Sequence, residues 1–387
     1  MPHIGLGGHI GPATRLGAVL VAQGHRVLAW APERYRSPIE ATGAAFQAHE
    51  PLATVRPFPN LAEFAAALAE ATERCCGELI EAMYARGVDL VIHDVHVPWA
   101  RVAADFLGLP RIVSDPLFPY RAGRLAGWAS GAEAARGEDP WARAQIARSG
   151  VRRRWGVDLG GLPEVLNSRA DSIVSFTTEE ILGGVELPPG WSCVGPLMAP
   201  APARVVRPSR SVVYVAFGTF FNALAESFRI VLDALAGEPV DIVVSTGRGS
   251  VTARDLAPLS GNAVVHEFVD SREVLARTAV HVTHGGGSSV HESLLAGVPM
   301  VCLPQGSDQW AWGQRVQELG AGRIVARDPH AIRSAVRDLL EDRAARDRAA
   351  QVGRSLAAYP GERRVAELVE RTLGGYRPRS SADQQAQ

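Results

Sequence analysis

The chain has 387 residues, 47% of them hydrophobic and 21% charged, with a net charge of −1 at pH 7. That length exceeds one ordinary core and suits two domains of about 150–200 residues. The near-zero balance excludes a global field that would draw the chain to nucleic acid or an anionic membrane, and local basic runs such as Arg152-Arg153-Arg154 read as a solvated helix face.

In chain order, apolar strand-like runs alternate with helical stretches. Strands are expected at Pro2–Leu6, His25–Trp30, Leu90–His93, Arg111–Ser114 and Ser172–Phe176. Helices are expected at Thr14–Gln23 and Phe64–Ala85. Gly24 and Gly87 follow them, where a left-handed stop is wanted. The first strand opens too early to leave room for a signal peptide, and no apolar run approaches the ~18 residues of a membrane span. Cys75, Cys76, Cys193 and Cys302 show no metal-ligand spacing and read as buried thiols of a reduced compartment. A cytoplasmic protein is expected.

Segment 115–160 is irregular and carries Phe118, Tyr120, Trp128, Trp141 and Trp155. It reads either as helices packing their aromatics inward or as an apolar wall for an aromatic or polyketide-like substrate. Phe118, Tyr120 and Trp128 are the candidates for such a wall. Residues 198–210, MAPAPARVVRPSR, read as a linker. The alternation then restarts with Val212–Phe217, a helix around Ala225–Leu235, Val240–Ser245, Ala263–Glu267 and Ala279–Thr283. A helix from about Ser289, a strand at Met300–Leu303 and helices to about Thr372 complete it. Residues 377–387 are polar and read as a disordered tail. The expected fold class is α/β. Two Rossmann-like doubly wound parallel-sheet domains, 1–197 and 211–376, face across a cleft at the carboxyl ends of their strands. The C-terminal helix is free to pack back on the first domain.

Two stretches carry chemistry. The first is GLGGHIGP, residues 5–12. A dinucleotide fingerprint wants glycine at its sixth position, where Ile10 stands, and Pro12 removes an N–H that a pyrophosphate would use. Glu33 is the acid that such a reading would bring to a ribose. The alternative centres on His9, at the end of the first strand, where a neutral imidazole can take a proton from a hydroxyl. Such a base needs an acid to fix its tautomer, and Asp94 in VIHDVHVP is the best candidate. His93 and His96 flank it and compete for a role.

The second is FVDSREVLARTAVHVTHGGGSSVHESLLAGVPMVCLPQGSDQWAWG, residues 268–313. A strand runs into HGGGSS and then a helix, whose free N–H groups and positive dipole end suit a diphosphate. The glycines allow close backbone approach. His284 can donate to a phosphate oxygen, and Ser288 and Ser289 add hydroxyls or cap the helix. Glu292, one turn in, can reach ribose hydroxyls. Asp308 and Gln309 pair a carboxylate with an amide, a combination that grips sugar hydroxyls.

These motifs resemble the family-one, UDP-glycosyltransferase-like enzymes of the GT-B fold, in the bacterial branch acting on macrolides and other natural products. The likeness spans nearly the whole chain: GGHIGP, DLVIHDVHVPWARVAADFLGLP, VVYVAFGT and residues 268–309. The resemblance implies His9 as general base and Asp94 as its partner. It implies Gly218 and Thr219 near the phosphates, Phe268 stacked on the base and Val269 in backbone contact with it. His284, Gly286, Gly287, Ser288 and Ser289 would hold the diphosphate, Glu292 the ribose, and Asp308 and Gln309 the donor sugar. Phe268 stands where the family has Trp, Asp270-Ser271 where it has Pro-Gln, and Trp312 where an Asn is common. A bulky apolar group at Trp312 suits a deoxysugar, whereas Glu292 favours UDP over dTDP.

The expected activity is metal-independent inverting transfer from a UDP-sugar, or a dTDP-sugar, to a hydroxyl of a macrolide, polyketide or flavonoid. No metal site and no tightly bound cofactor are expected. The partners are a small acceptor and the nucleotide sugar, in a monomer or homodimer. The alternatives are a lipid or cell-wall GT-B transferase, a nucleotide-sugar epimerase and a catalytically silent nucleotide-sugar-binding partner.

Overall fold

A computed structural model describes residues 1–5, 7–52, 61–119, 139–168, 170–198, 210–218, 225–247, 251–306 and 308–375. Tyr120, Trp128, Thr219, the expected tail and all of the expected linker but Met198 and Arg210 lie outside the described residues.

The first half runs α1 (Gly7–Ala22), β1 (Leu28–Ala31), α2 (Arg36–Glu40), β2 (Ala45–Ala48), α3 (Leu61–Ala85), β3 (Val91–Asp94), α4 (Pro98–Leu107) and β4 (Arg111–Asp115). It continues through α5 (Pro140–Trp155), α6 (Leu162–Leu166), β5 (Ser172–Ser175), α7 (Glu179–Leu182) and β6 (Trp191–Cys193). Strands β3 to β6 form a parallel sheet in sequence order, and β1 pairs in parallel with β2.

Residues 1–5 lie between these two sheets. The His3 N–H donates to the Trp30 carbonyl at 2.9 Å, and the Asp94 N–H donates to the Pro2 carbonyl at 3.4 Å. The expected strand Pro2–Leu6 is thus reduced to a single bridge, between Pro2 and Trp30. Pro2 has no N–H to give a ladder, and Gly5, at φ +83, turns the chain away. The order across this half is β2, β1, residues 1–5, β3, β4, β5, β6. The order reverses between residues 1–5 and β3.

The second half runs β7 (Ser211–Ala216), α8 (Ala225–Leu235), β8 (Val240–Ser245), β9 (Ala263–His266), α9 (Ser271–Leu275), β10 (Thr278–Thr283) and α10 (Gly287–Leu295). It ends with β11 (Met300–Cys302), α11 (Gln309–Glu318), β12 (Gly322–Ile324), α12 (Pro329–Glu341), α13 (Arg343–Ala357) and α14 (Gly361–Gly374). Its six parallel strands follow the order β12-β11-β10-β7-β8-β9, so the winding reverses between β7 and β10. The strands are valine-rich and buried on both faces, as in β7, where Val213 and Val215 are fully buried. Helix α12 buries Ile332, Ala335, Val336 and Leu339, a helical stripe facing that sheet.

The halves touch through specific contacts. The Phe118 N–H donates to Asp308 Oδ2 at 2.8 Å, His291 Nε2 meets Thr177 Oγ1 at 2.9 Å, and Tyr359 Oη donates to Glu179 Oε2 at 2.7 Å. The last helix, α14, buries Val365, Leu368 and Val369 against Leu16 and Leu20 of α1 and Ile92 of β3.

Several expected boundaries move. Helix α1 begins at Gly7 rather than Thr14 and contains Pro12. Pro12 has no N–H for the Gly8 carbonyl, but Gly8 is exposed, so that carbonyl is not sealed from solvent. The short elements β2, α7, α9 and β12 carry no readable periodicity and were not expected. In segment 115–160, α5 accounts for Trp141 and Trp155, and Trp155 packs into the first-half core.

Candidate active site

In wound parallel sheets the crevice opens where the strand order reverses, at the carboxyl ends. Both reversals carry candidate residues. In the first half, His9 follows residues 1–5 and Asp94 ends β3. Nδ1 of His9 lies 2.8 Å from Asp94 Oδ2, across 85 positions of sequence. In the second half, Gly218 follows β7 and His284 follows β10. A Cβ on Gly218 would lie 2.9 Å from the His284 ring, and Gly218 sits at φ +74.

His9 stands in the first turn of α1, not in a loop. Its ring is held from below. Asp94 Oδ2 accepts a hydrogen bond from Nδ1–H, while Asp94 Oδ1 accepts the His96 N–H at 2.8 Å. The His96 ring lies 5.1 Å from that of His9, and its own Nδ1 is engaged by the Leu166 carbonyl. His93 is fully buried under the site, with Nδ1 on the Asp94 carbonyl at 2.9 Å. Of the three histidines, His9 alone bonds the Asp94 carboxylate through its ring.

Burial alone would pull the His9 pKa down. Asp94, aided by Asp115 and Asp308, outweighs it and holds the value above that of an ordinary imidazole. Burial pushes Asp94 up, but the charge and hydrogen bond of His9 bring it below the usual carboxylate range. Burial drives His96 to about 4 and His93 to about 3, so both are neutral near pH 7.

Asp115 ends β4 beside these groups and was not singled out from sequence. It is buried, and its Oδ1 accepts the Leu117 N–H at 2.9 Å. Burial, then the charges of Asp94 and Asp308, push it up to about 7. The available signal was the one that marked Asp94: an acid closing an apolar strand, RIVSD beside VIHD.

In the second half, His284 sits between two glycines. A Cβ on Gly286 would press on Nε2 of its ring and lie 3.0 Å from Cε1. Burial pulls His284 down to about 4, against a hydrogen bond with the Ala216 backbone, which leaves the ring neutral. Gly286 caps α10, and Gly287, Ser288 and Ser289 form its first turn. No side chain caps that end, and Gly287 and Ser288 line the crevice. Ser288 and Ser289 do not cap it. Glu292 Oε2 accepts from Ser271 Oγ at 2.7 Å. Phe268 is 58% exposed, and Val269 is half-buried.

Asp308 is buried, and burial raises its pKa. Its Oδ2 accepts both the Phe118 N–H and the Trp312 indole N–H, each at 2.8 Å. Gln309 Oε1 accepts the Gln305 N–H at 2.7 Å, so its carbonyl end secures the loop before α11. Two expectations change here. Phe118, expected on an acceptor wall, packs edge-on against Trp312 with centroids 4.8 Å apart. Trp312, expected as an apolar surface for the sugar, is 1% exposed and acts on the site through Asp308.

Comparison with known proteins points to one family. Residues 229–372 match the model of the erythromycin biosynthesis protein CIII-like C-terminal domain. The oleandomycin glycosyltransferase of Streptomyces antibioticus is 26% identical over 95% of this chain and 88% of its own. The glycotransferase of kitacinnamycin superposes with a TM-score of 0.80 at 25% identity, covering 96% of this chain and 98% of that one. A calicheamicin glycosyltransferase, CalG4, gives 0.72 at 26% identity over the same shares. The fold is that of the GT-B glycosyltransferases, and these likenesses support a family-one enzyme. None of the chain's described helices is long and apolar enough to cross a membrane. Among its described residues no cluster of three His, Cys, Asp or Glu side chains is set to hold a metal ion.

Proposed function

We propose that this transferase inverts the anomeric centre while moving a sugar from a UDP-sugar to a hydroxyl of a macrolide or related polyketide. The single observation that carries the reading is the His9–Asp94 bond at one winding reversal, with the glycine-flanked His284 at the other. With its Nδ1–H donating a hydrogen bond to Asp94, neutral His9 keeps a lone pair on Nε2. That nitrogen takes the acceptor proton as the hydroxyl oxygen attacks the anomeric carbon. The C–O bond to the diphosphate breaks on the opposite face, and the nucleotide leaves with the electron pair. The α10 N–H groups stabilise the charge that develops there, with no metal required.

Residues 1–197 would bind the acceptor and residues 211–376 the donor, hinged at 198–210. Glu292 would hold both ribose hydroxyls, which supports UDP over dTDP. Asp308 presents only Oδ1 to the sugar, because its other oxygen is already bonded twice.

A donor screen tests the reading. Wild type and His9→Ala are offered UDP-sugars and dTDP-deoxysugars with macrolide, polyketide and flavonoid acceptors, and product masses are recorded. His9→Ala is expected to lose about 10²–10⁴-fold in rate while still binding UDP. Equal transfer by both proteins would remove His9 from the mechanism. Donor binding without transfer by wild type would favour a silent nucleotide-sugar-binding partner.

A further inference from the structure

The diphosphate site as described holds dipoles but no fixed positive charge. The chain contains no lysine, so all 40 of its basic residues are arginine. Segment 268–309 offers two, Arg272 and Arg277. Arg272 is spent on Asp270 at 3.2 Å, and Arg277 lies at the opposite end of β10 from His284.

Arg15 of α1 comes from the other half. A narrow crevice, partly open to solvent, lies between Pro12 and Arg15 of α1 and Gly287, Ser288 and His291 of α10. Among its described lining residues Arg15 is the only arginine. Nε of Arg15 donates to the Pro196 carbonyl at 3.0 Å, which anchors the guanidinium. Among the described residues neither terminal nitrogen has a hydrogen-bond partner. The side chain runs back toward the start of α1, since a Cβ on Gly11 would lie 3.6 Å from Nη1. That direction leads to the turn bearing His9.

Two positive features therefore face one crevice: an anchored guanidinium and the uncapped N-terminal end of α10. The charges acting on Arg15 are Glu292, which attracts it, and Arg272, which repels it; Glu292 already accepts from Ser271. A largely buried cation without a full set of partners is costly. A dianion between the two would satisfy both the cation and the helix end.

We propose that Arg15 binds the diphosphate of the donor, and of the departing nucleotide, from the half that carries the base. The inference rests on the donor reading above. It makes Arg15 a positioning residue that seats the leaving group against α10 only when both halves engage it.

The test is calorimetric binding of UDP, dTDP, uridine and thymidine to full-length wild type, Arg15→Met and Arg15→Lys. Methionine keeps the apolar stem and removes the charge. Lysine restores the charge without the fork. Arg15→Met is expected to weaken the diphosphates about 10- to 100-fold and leave the nucleosides within about twofold. Arg15→Lys should recover part of that loss. Diphosphate binding by Arg15→Met equal to wild type overturns the assignment. So does an equal weakening of nucleosides and diphosphates, which would mark a merely structural arginine. If Arg15→Met does not fold, Arg15→Gln takes its place: a loss confined to the diphosphates keeps the assignment, and an equal loss of nucleosides and diphosphates overturns it. Wild type that binds neither UDP nor dTDP overturns the donor reading itself.

Discussion

At His9 two effects oppose each other: burial disfavours the imidazolium, and a carboxylate at 2.8 Å favours it. The carboxylate wins, so the free enzyme's base titrates above the ordinary imidazole value. A base works only when neutral. Activity should therefore rise with pH through that raised value, and kcat/KM should show an acid limb above about 6.5. In Asp94→Asn the attraction goes and burial remains. The limb is expected to move to lower pH while the rate falls, as a pH–rate profile of both proteins would record. A limb that stays in place would mean that another group titrates, with Asp115, pushed up to about 7, the first to examine. Sequence made His9 and Asp94 visible as single residues, because each closes an apolar run beside glycine or proline. Their contact was not visible, since 85 residues separate them and no local pattern encodes the approach. Asp115 carries the same signal, closing RIVS before Pro116, but lacks the flanking histidines that drew attention to Asp94. Trp312 was misread because its indole N–H, not its ring surface, meets the site residue Asp308.

At the level of the element, the loop from β10 into α10 is built around a ring. His284 fits because Gly218 and Gly286 leave space on two sides. Gly286 lies at φ −69, so alanine there meets no backbone strain. Its Cβ would instead press on the ring within 3.0 Å, closer than Cβ contacts are found. Gly286→Ala should displace His284 and raise KM for the nucleotide sugar about tenfold or more, from the roughly 1–3 kcal/mol of overpacking. Steady-state kinetics against donor, with a thermal melt as control, checks this. An unchanged KM would mean that the ring does not touch the donor. The long strands and helices of the second half were legible because β7, β8 and β10 are continuous apolar runs closed by glycine-rich turns. The short pieces, β12 and α9 among them, were not, because three to five residues cannot display a period. The start of α1 was placed seven residues late, because Pro12 read as a first-turn residue and tertiary context tolerates it inside the helix.

Over the whole molecule, the last helix returns to the first half. Leu368 of α14 is 3% exposed among Leu16, Leu20 and Ile92. Leu368→Ala should cost about 2–5 kcal/mol of stability, measured by denaturant unfolding, although the residue lies far along the chain from everything it covers. A loss under about 1 kcal/mol would mean that α14 is only loosely seated. The two-sheet architecture was legible from the alternation alone. The mutual dependence of the halves was not, because its contacts join residues more than a hundred positions apart and some run through backbone groups that carry no side-chain signature. The Phe118 amide is the clearest of these: it helps to orient Asp308, a candidate sugar ligand of the opposite half. Recombining such enzymes by exchanging their C-terminal halves would therefore not transplant donor preference as a sealed module. A chimera inherits the carboxylate from one parent and the amide that aims it from the other. The loop at 116–118 has to travel with the half it serves.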